Sequence, residues 1–255
     1  MSNAKRPTAC LLIIGNEVLS GRTKDANLAY LGENLNEIGV RMAEARVVPD
    51  EEDVIIAALN EVRAKYDYVF TTGGIGPTHD DITAGCIAKA FGKKLIRHPD
   101  AVALFEKKYK PGDLNEARLK MTEVAEGAVL VDNPVSQAPG FHIENVYVFA
   151  GIPRVMQAMF EGIKHELSGG AQVLSRTIAS HAKEGDIASG LGNLQNDFPD
   201  VEIGSYPFFT PEGKTGVRIV ARTPDESELD SVIEKVCDLI RQCGGDPVDE
   251  TPPSA

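Results

Sequence analysis

The chain of 255 residues has no tryptophan, only four cysteines, and no apolar stretch long enough to cross a bilayer. No apolar run exceeds six residues, the length of Ala9 to Ile14, against the roughly 20 that a spanning helix needs. The amino terminus lacks a secretory apolar core with a cleavage site, so the expectation is a cytoplasmic protein with no membrane partner. Met1 to Ala4 are set aside from the fold reading. Cys10, Cys86, Cys237 and Cys243 are scattered without C-x-x-C spacing, which argues against a zinc site or a disulfide framework. Most fall in apolar-periodic stretches that read as core. Also missing is any Lys/Arg-rich run with interleaved aromatics, and the formal charge is -12. A nucleic-acid partner is therefore disfavoured. An acidic protein can still bind an anion where backbone N–H groups or a metal ion neutralise it locally.

What is present is an ordinary globular composition, 42% hydrophobic and 25% charged, in which strand and helix patterns alternate from Thr8 to about Leu167. Ala9 to Ile14 reads as a buried strand. Leu28, Leu31, Leu35 and Ile38 follow at helical spacing until Gly39, before a strand through Val47 and Val48 and a helix with Ile55, Leu59 and Val62. Tyr68 to Thr72 reads as a third strand that runs into a glycine loop and a helix carrying Ile82, Cys86 and Ala90. Val102, Phe105 and Tyr109 mark a further helix, and Val146 to Phe149 a last parallel-type strand. The implied fold is α/β, a mostly parallel three-layer αβα sandwich over residues 8–168.

After Ser168-Gly169-Gly170 the pattern changes to strand, helix, strand, strand, helix, a small α+β (βαββα) domain over 172–246. Thr223-Pro224-Asp225-Glu226 reads as a capping box with Pro at the first helical position. Leu229, Val232, Val236, Ile240 and Cys243 form the buried stripe of that last helix. Residues 247–255, Pro-rich and acidic, read as a flexible tail.

The chemistry-bearing constellation is Thr71-Thr72-Gly73-Gly74-Ile75-Gly76-Pro77-Thr78-His79-Asp80-Asp81-Ile82-Thr83. Glycines between a strand and a helix let the backbone approach a ligand and turn N–H groups toward it, while the helix adds its positive end. The plainer alternative, a tight turn needing glycine for its torsions, stays open. Asp80 and Asp81 favour the phosphate reading. Two carboxylates beside an anion repel it unless a cation lies between, or one of them handles a proton or nucleophile. Either Asp alone could instead complement a helix dipole.

Glu17 follows the first strand and Asp50 the second, so Glu17, Asp50 and Asp81 can converge beyond the carboxyl ends of parallel strands. Asp50 could equally be a helix cap, as could Asp25 or Asn27. Ala138-Pro139-Gly140 and Gly151-Ile152-Pro153 could form turns bordering the same crevice. The loop lacks the G-x-G-x-x-G spacing of a dinucleotide fingerprint, and Gly213-Lys214-Thr215 lacks the first glycine of a P-loop, Phe208 standing there. No histidine is assigned a role.

Taken in order, three segments resemble the MoaB/MogA/CinA superfamily of molybdopterin-binding-like domains over Thr8 to about Leu167. They are Gly15-x-Glu17-x-Leu19-x-Gly21-x-Thr23-x-Asp25-x-Asn27, Val48-Pro49-Asp50-Glu51 and Gly73-Gly74-Ile75-Gly76-Pro77-Thr78-His79-Asp80-Asp81. The likeness is nearest to the CinA amino-terminal region and the amino-terminal domain of eukaryotic FAD synthases, and Ile203-Gly204-Ser205-Tyr206-Pro207 is similar to a segment those proteins carry further on. Two positions depart from the family pattern, Ser136 where it has glycine and Ala150 where it has proline.

The resemblance implies one of two activities. In the CinA and FAD-synthase-like branch it implies hydrolysis of a nucleotide diphosphate such as FAD or ADP-ribose with magnesium, manganese or cobalt. In the MogA branch it implies adenylylation of molybdopterin, and a cofactor-binding module without catalysis is a third reading. The functional carboxylates of the family align with Asp50 and Asp81. The site then comprises Asp81, Asp50 and Glu17 as catalytic groups, with Asp81, Asp80 and Asp50 on the metal. Thr72, Gly73, Gly74, Gly76, Pro77, Thr78, Asp80, Asn27, Pro139, Gly140, Gly151 and Pro153 would line the nucleotide or pterin phosphate. A homo-oligomer is implied on the same grounds. Neither the amide-hydrolase activity of full-length CinA nor FAD synthesis is expected.

Overall fold

A computed structural model describes residues 6–110, 112–211 and 213–251. They fall into two compact units that divide between Gly170 and Ala171. No helix among the described residues is long and apolar enough to cross a membrane.

The first unit opens with β1 (Thr8–Ile14), α1 (Asn16–Leu19), α2 (Asn27–Glu37), β2 (Arg41–Val48), α3 (Glu52–Lys65), β3 (Tyr68–Thr72) and α4 (Thr83–Ala90). It continues with β4 (Leu95–Arg97), α5 (Pro99–Lys108), α6 (Glu116–Lys120), β5 (Glu123–Ala125), β6 (Val129–Val131), β7 (Gly140–Ile143), β8 (Val146–Phe149) and α7 (Pro153–Ile163). Six strands form one sheet in the order β2-β1-β3-β8-β7-β6. The four from β2 to β8 are parallel, while β7 and β6 add an antiparallel edge. A two-stranded antiparallel sheet of β4 and β5 stands apart.

The unbroken apolar run of β1 is explained by burial on both sheet faces. Cys10, Leu12 and Ile14 pack with Ile55 and Leu59 of α3 and Cys86 and Ile87 of α4. Ala9, Leu11 and Ile13 pack with Leu31 and Leu35 of α2 and Met156 and Phe160 of α7. The alternation of side chains along a strand thus divides one segment between two cores, which is the three-layer α/β architecture read from the sequence. Burial pushes the Cys10 and Cys86 thiols up to about 11, so both are core residues without nucleophilic character at neutral pH.

The second unit has β9 (Leu174–Ser180), α8 (Glu184–Asp197), β10 (Glu202–Phe209), β11 (Thr215–Thr223), α9 (Glu226–Gln242) and β12 (Val248–Asp249). Its sheet, ordered β10-β11-β9-β12, is antiparallel throughout. Leu229, Val232, Ile233, Val236 and Ile240 form the buried stripe of α9, and Cys243 is half-buried beyond it.

Two expectations are corrected here. The cap of α9 is Asp225, whose carboxylate accepts the Ser227 and Glu228 N–H groups, so Pro224 lies outside the helix and Thr223 is the last residue of β11. The segment read as a flexible tail adds a strand: Val248 and Asp249 pair with Ala179 and Ile178. The acidic residues that suggested a solvated tail instead meet the basic residues of the sheet, Asp249 with Arg176 at 3.0 Å and Glu250 with Arg218 at 2.7 Å. Residues 252–255 of the expected tail lie outside the described residues.

A chain ending at Asp246 should lose about 1–2 kcal/mol of second-unit stability at pH 7, the scale of a few ladder hydrogen bonds and partly exposed ion pairs. Thr251 and then Arg176 hold the Asp249 carboxyl down to about 2. A depressed acid stabilises the fold above its unfolded value and loses that contribution as pH falls from about 4 toward 2. Urea unfolding across that range should show the two chains' stabilities drawing together.

Candidate functional site

The site begins where β3 ends. Gly73 has φ +100, and a Cβ there would stand 2.1 Å from the Ile14 carbonyl oxygen, so the strand can turn only with glycine. Gly74 has φ +67, and its missing Cβ leaves room for the Thr83 hydroxyl. Thr83, buried at the first turn of α4, fastens the loop twice: its N–H donates to the Gly74 carbonyl at 3.0 Å and its Oγ1 to the Gly73 carbonyl at 2.9 Å. Thr83 closes the constellation singled out in the sequence, where no role was assigned to it.

The expectation that all three glycine N–H groups face a ligand needs one correction. The Gly73 N–H donates to the Phe149 carbonyl at 3.2 Å, completing the sheet. Among the described residues, the N–H groups of Gly74, Ile75 and Gly76 have no protein acceptor, nor do those of Ala84 and Gly85 in the first turn of α4. Free amides in a loop backed by a helix amino terminus are an anion cradle.

The acid pair is organised by Thr78. Its N–H donates to Asp81 Oδ2 at 2.8 Å, and its hydroxyl stands 2.5 Å from that oxygen and 2.6 Å from Asp80 Oδ1. One hydroxyl proton serves only one carboxylate at a time. The Thr78 hydroxyl is also the main reason the Asp80 carboxyl lies below the usual range. Asp81 lies against Gly76, where a Cβ would approach its carboxylate oxygens to 2.6 and 2.9 Å. The glycine therefore admits the acid as well as shaping the loop. His79 is almost fully exposed, 4.0 Å from Asp80.

A cleft of about 280 Å³ opens on this loop, lined by Gly74, Gly76, Asp81, Ala84 and Gly85 together with Lys120, Met121, Glu123 and Pro139. That volume is below the roughly 300–1,000 Å³ typical of pockets enclosing a whole ligand. A larger, open hollow of about 850 Å³ in the second unit holds none of the motif residues. Its Arg218 is already paired with Glu250 and stacked over Phe208, which makes it the weaker candidate.

Of the other expected site residues, Asp50 accepts the Asn16 N–H at 2.8 Å and does not cap α3, whose cap position is Glu51. Glu17 is exposed and folded back over Gly15. Asn27 is buried, donates to the Gly151 carbonyl at 2.9 Å, and keeps an unpaired Oδ1; Asp25 accepts the Leu28 N–H in the capping role. Thr72 is buried with an unpaired Oγ1. Gly151 approaches Gly73 so closely that a Cβ would lie 3.3 Å from its Cα.

Pro77 and Pro153 are exposed, Pro153 opening α7. Gly140 is a packing glycine in β7, buried where a Cβ would meet the Val148 carbonyl at 2.5 Å, so it is not open to a ligand. Among the described residues no group of three His, Cys, Asp or Glu side chains could hold a metal ion. The expected set of Asp50, Asp80 and Asp81 is thus not assembled, because each carboxylate is turned onto a local donor.

The turn holding Ser136 is ordered by Asn133, a residue the sequence reading missed. Its Oδ1 accepts the Val135 and Ser136 N–H groups, and its Nδ2 donates to Ser136 Oγ and the Ala138 carbonyl. The positive φ falls on Gln137, not on Ser136, so serine in place of the family's glycine meets no backbone strain. An Asn-Pro pair is a turn signal that could have identified Asn133.

With this geometry in place, comparison with known proteins is informative. Residues 10–168 match the family model described as Probable molybdopterin binding domain, and residues 172–244 the one described as FAD synthase, middle domain. A protein of Pyrobaculum calidifontis is 34% identical over 252 residues, covering 92% of this chain and 96% of its own. A CinA-like protein of Desulfosudis oleivorans is 30% identical over 256 residues, covering 93% of this chain and 60% of its own length. The crystal structure of the protein CinA from Thermoplasma acidophilum is similar with a TM-score of 0.60 at 36% identity, covering 65% of this chain and 99% of that one.

Thr83→Val should test the loop's fastening. It keeps the shape of the side chain and leaves the Gly73 carbonyl without its donor, which should lower stability by about 1–3 kcal/mol in urea unfolding. An unchanged midpoint would mean that the hydroxyl does not hold the loop.

Proposed function

The chain belongs to the family described as Probable molybdopterin binding domain, with a following segment similar to the FAD synthase middle domain, and from that premise we propose that it hydrolyses a nucleotide diphosphate such as FAD or ADP-ribose. The observation that carries the proposal is the run of unpaired N–H groups from Gly74 to Gly76, on residues that line one cleft with Asp81. The amides hold the diphosphate and Asp81 acts at the phosphorus, where water displaces the leaving phosphate and the P–O anhydride bond breaks. Thr78 fixes Asp81 through Oδ2. This leaves Oδ1 directed at the loop for the incoming water or for a metal ion.

The residues fit a divalent cation in one way only. Asp81, with Asp80 beside it, supplies one or two carboxylates, and the remaining donors are the substrate's own phosphate oxygens and water, the arrangement magnesium favours. Bound there, the cation would supply charge neutralisation at the diphosphate and polarise the phosphoryl oxygen. Asp50 is committed to the Asn16 N–H at the β1–α1 turn and supports the strand ends on which the loop rests, while Glu17 is folded back over Gly15 and does not line the cleft.

A second reading is favoured by the family match of the first unit itself: transfer of AMP from ATP to molybdopterin at the same cradle, with the same role for Asp81. On family grounds we also propose that the chain works as a homo-oligomer, which light scattering on the purified protein checks.

With FAD or ADP-ribose and magnesium, manganese or cobalt, the protein should release AMP, and a chelator should stop it. Asp81→Ala should lower turnover at least about a hundredfold, the scale of losing a positioned acid–base or charge-stabilising group. Its fold should survive, since the two exposed hydrogen bonds that Asp81 accepts from Thr78 are worth about 1 kcal/mol each. Wild-type turnover in Asp81→Ala would sink the assignment. Adenylylated pterin formed from ATP, in place of AMP release, would decide for the transferase, and tight binding without turnover for a non-catalytic module.

A further inference from the structure

The charged residues lining the cleft are Glu52, Asp81, Lys89, Lys120 and Glu123. Two of the carboxylates are paired with cations: Glu52 with Lys89 at 2.5 Å, and Glu123 with Arg97 at 3.7 Å. That leaves Asp81 and Lys120. Lys120 closes α6, is half-buried, and donates from Nζ to the Thr78 carbonyl. Among the described residues it has no carboxylate within ion-pair reach. Its charge is felt at Asp80, where it is the least of the influences lowering that carboxyl.

An ammonium held by one neutral carbonyl, half out of water and lining the same cleft as the unpaired backbone amides, is poised for a stronger acceptor. A phosphate oxygen offers that ammonium an opposite charge, and so a Coulombic attraction that a neutral carbonyl lacks. We propose that Lys120 is the ligand-charge-recognising residue of the cleft, binding a phosphate oxygen of the diphosphate held by the amides of Gly74 to Gly76. Lys89 is excluded from the role by Glu52. The inference rests on the phosphoanhydride reading of the site and adds to it a residue that selects for anionic ligands.

Two roles must be separated, because Lys120 also ties the segment 116–121 to the Thr78 loop. Lys120→Gln retains a donor for the carbonyl and removes the charge; Lys120→Arg retains both. The probe is inorganic pyrophosphate, titrated calorimetrically into the full chain at low salt with a chelator present, alongside thermal unfolding of each variant. Wild-type protein should bind. Lys120→Gln should bind at least about tenfold more weakly, as loss of a hydrogen bond between charged groups requires. Lys120→Arg should come within about threefold of wild type and Lys89→Met within about twofold.

Wild-type affinity in Lys120→Gln would assign the lysine to clipping the loop and overturn the proposal, as would absence of pyrophosphate binding by the wild-type chain. FAD and ADP-ribose hydrolysis measured in parallel keeps the two ideas apart. Hydrolysis with charge-independent binding removes Lys120 and spares the hydrolase. Charge-dependent binding without hydrolysis does the reverse.

Discussion

The site depends on a steric constraint at one atom. At the end of β3 the backbone passes so close to the Ile14 carbonyl that no Cβ fits on Gly73, and Gly151 closes on Gly73 from the other side. Three strand ends, those of β1, β3 and β8, are thereby drawn together with no side chain between them. The loop that leaves this junction cannot choose among many paths. Thr83 then fixes the two carbonyls that follow, so the amides of Gly74, Ile75 and Gly76 are set in place before any ligand arrives. Such preorganisation removes reorganisation from the binding step.

Placing an anion site in a chain of net charge -12 is an electrostatic problem that the fold solves locally. Fixed amide dipoles and a helix amino terminus carry no counter-charge that could be paired away, unlike lysines scattered over an acidic surface. The ion pair of Glu52 with Lys89 shows the fate of an ordinary cation here. Asp81 remains beside the cradle because Thr78 satisfies one of its oxygens and Gly76 leaves it space. The acid is held beside the cradle by two contacts that do not neutralise it.

Much of the first unit was legible because its signals are redundant. The run from Ala9 to Ile14 could only be a strand covered on both faces, and the Gly39 stop coincides with a positive φ after α2. Strands β4 to β7 were missed as elements: each is three or four residues long, too short for alternation to register. The cap of α9 was misplaced because Thr223 and Asp225 are both good capping residues, and only the pairing of Thr223 with Leu174 settles which one the strand keeps. Strand β12 was read as tail because its Pro- and acid-rich composition resembles disorder, and the partners that order it, Arg176 and Arg218, are distant in sequence. In the site, glycines and acids were visible by type. The roles of Thr83, Asn133 and Lys120 were not, since a threonine, an asparagine and a lysine acquire meaning only from the backbone groups they face.

On the proposed reading the amides, Asp81 and Lys120 meet the phosphates that FAD, ADP-ribose and an adenylylated pterin have in common, while Ile75, Ile82, Leu95, Met121 and Phe141 line the rest of the cleft. Discrimination between them has to arise from groups outside the cradle, along the path by which the rest of the ligand leaves it, while the bond that is made or broken stays the same phosphoanhydride. On that reading the glycine and acid motif would specify the bond, and groups outside it the identity of the substrate.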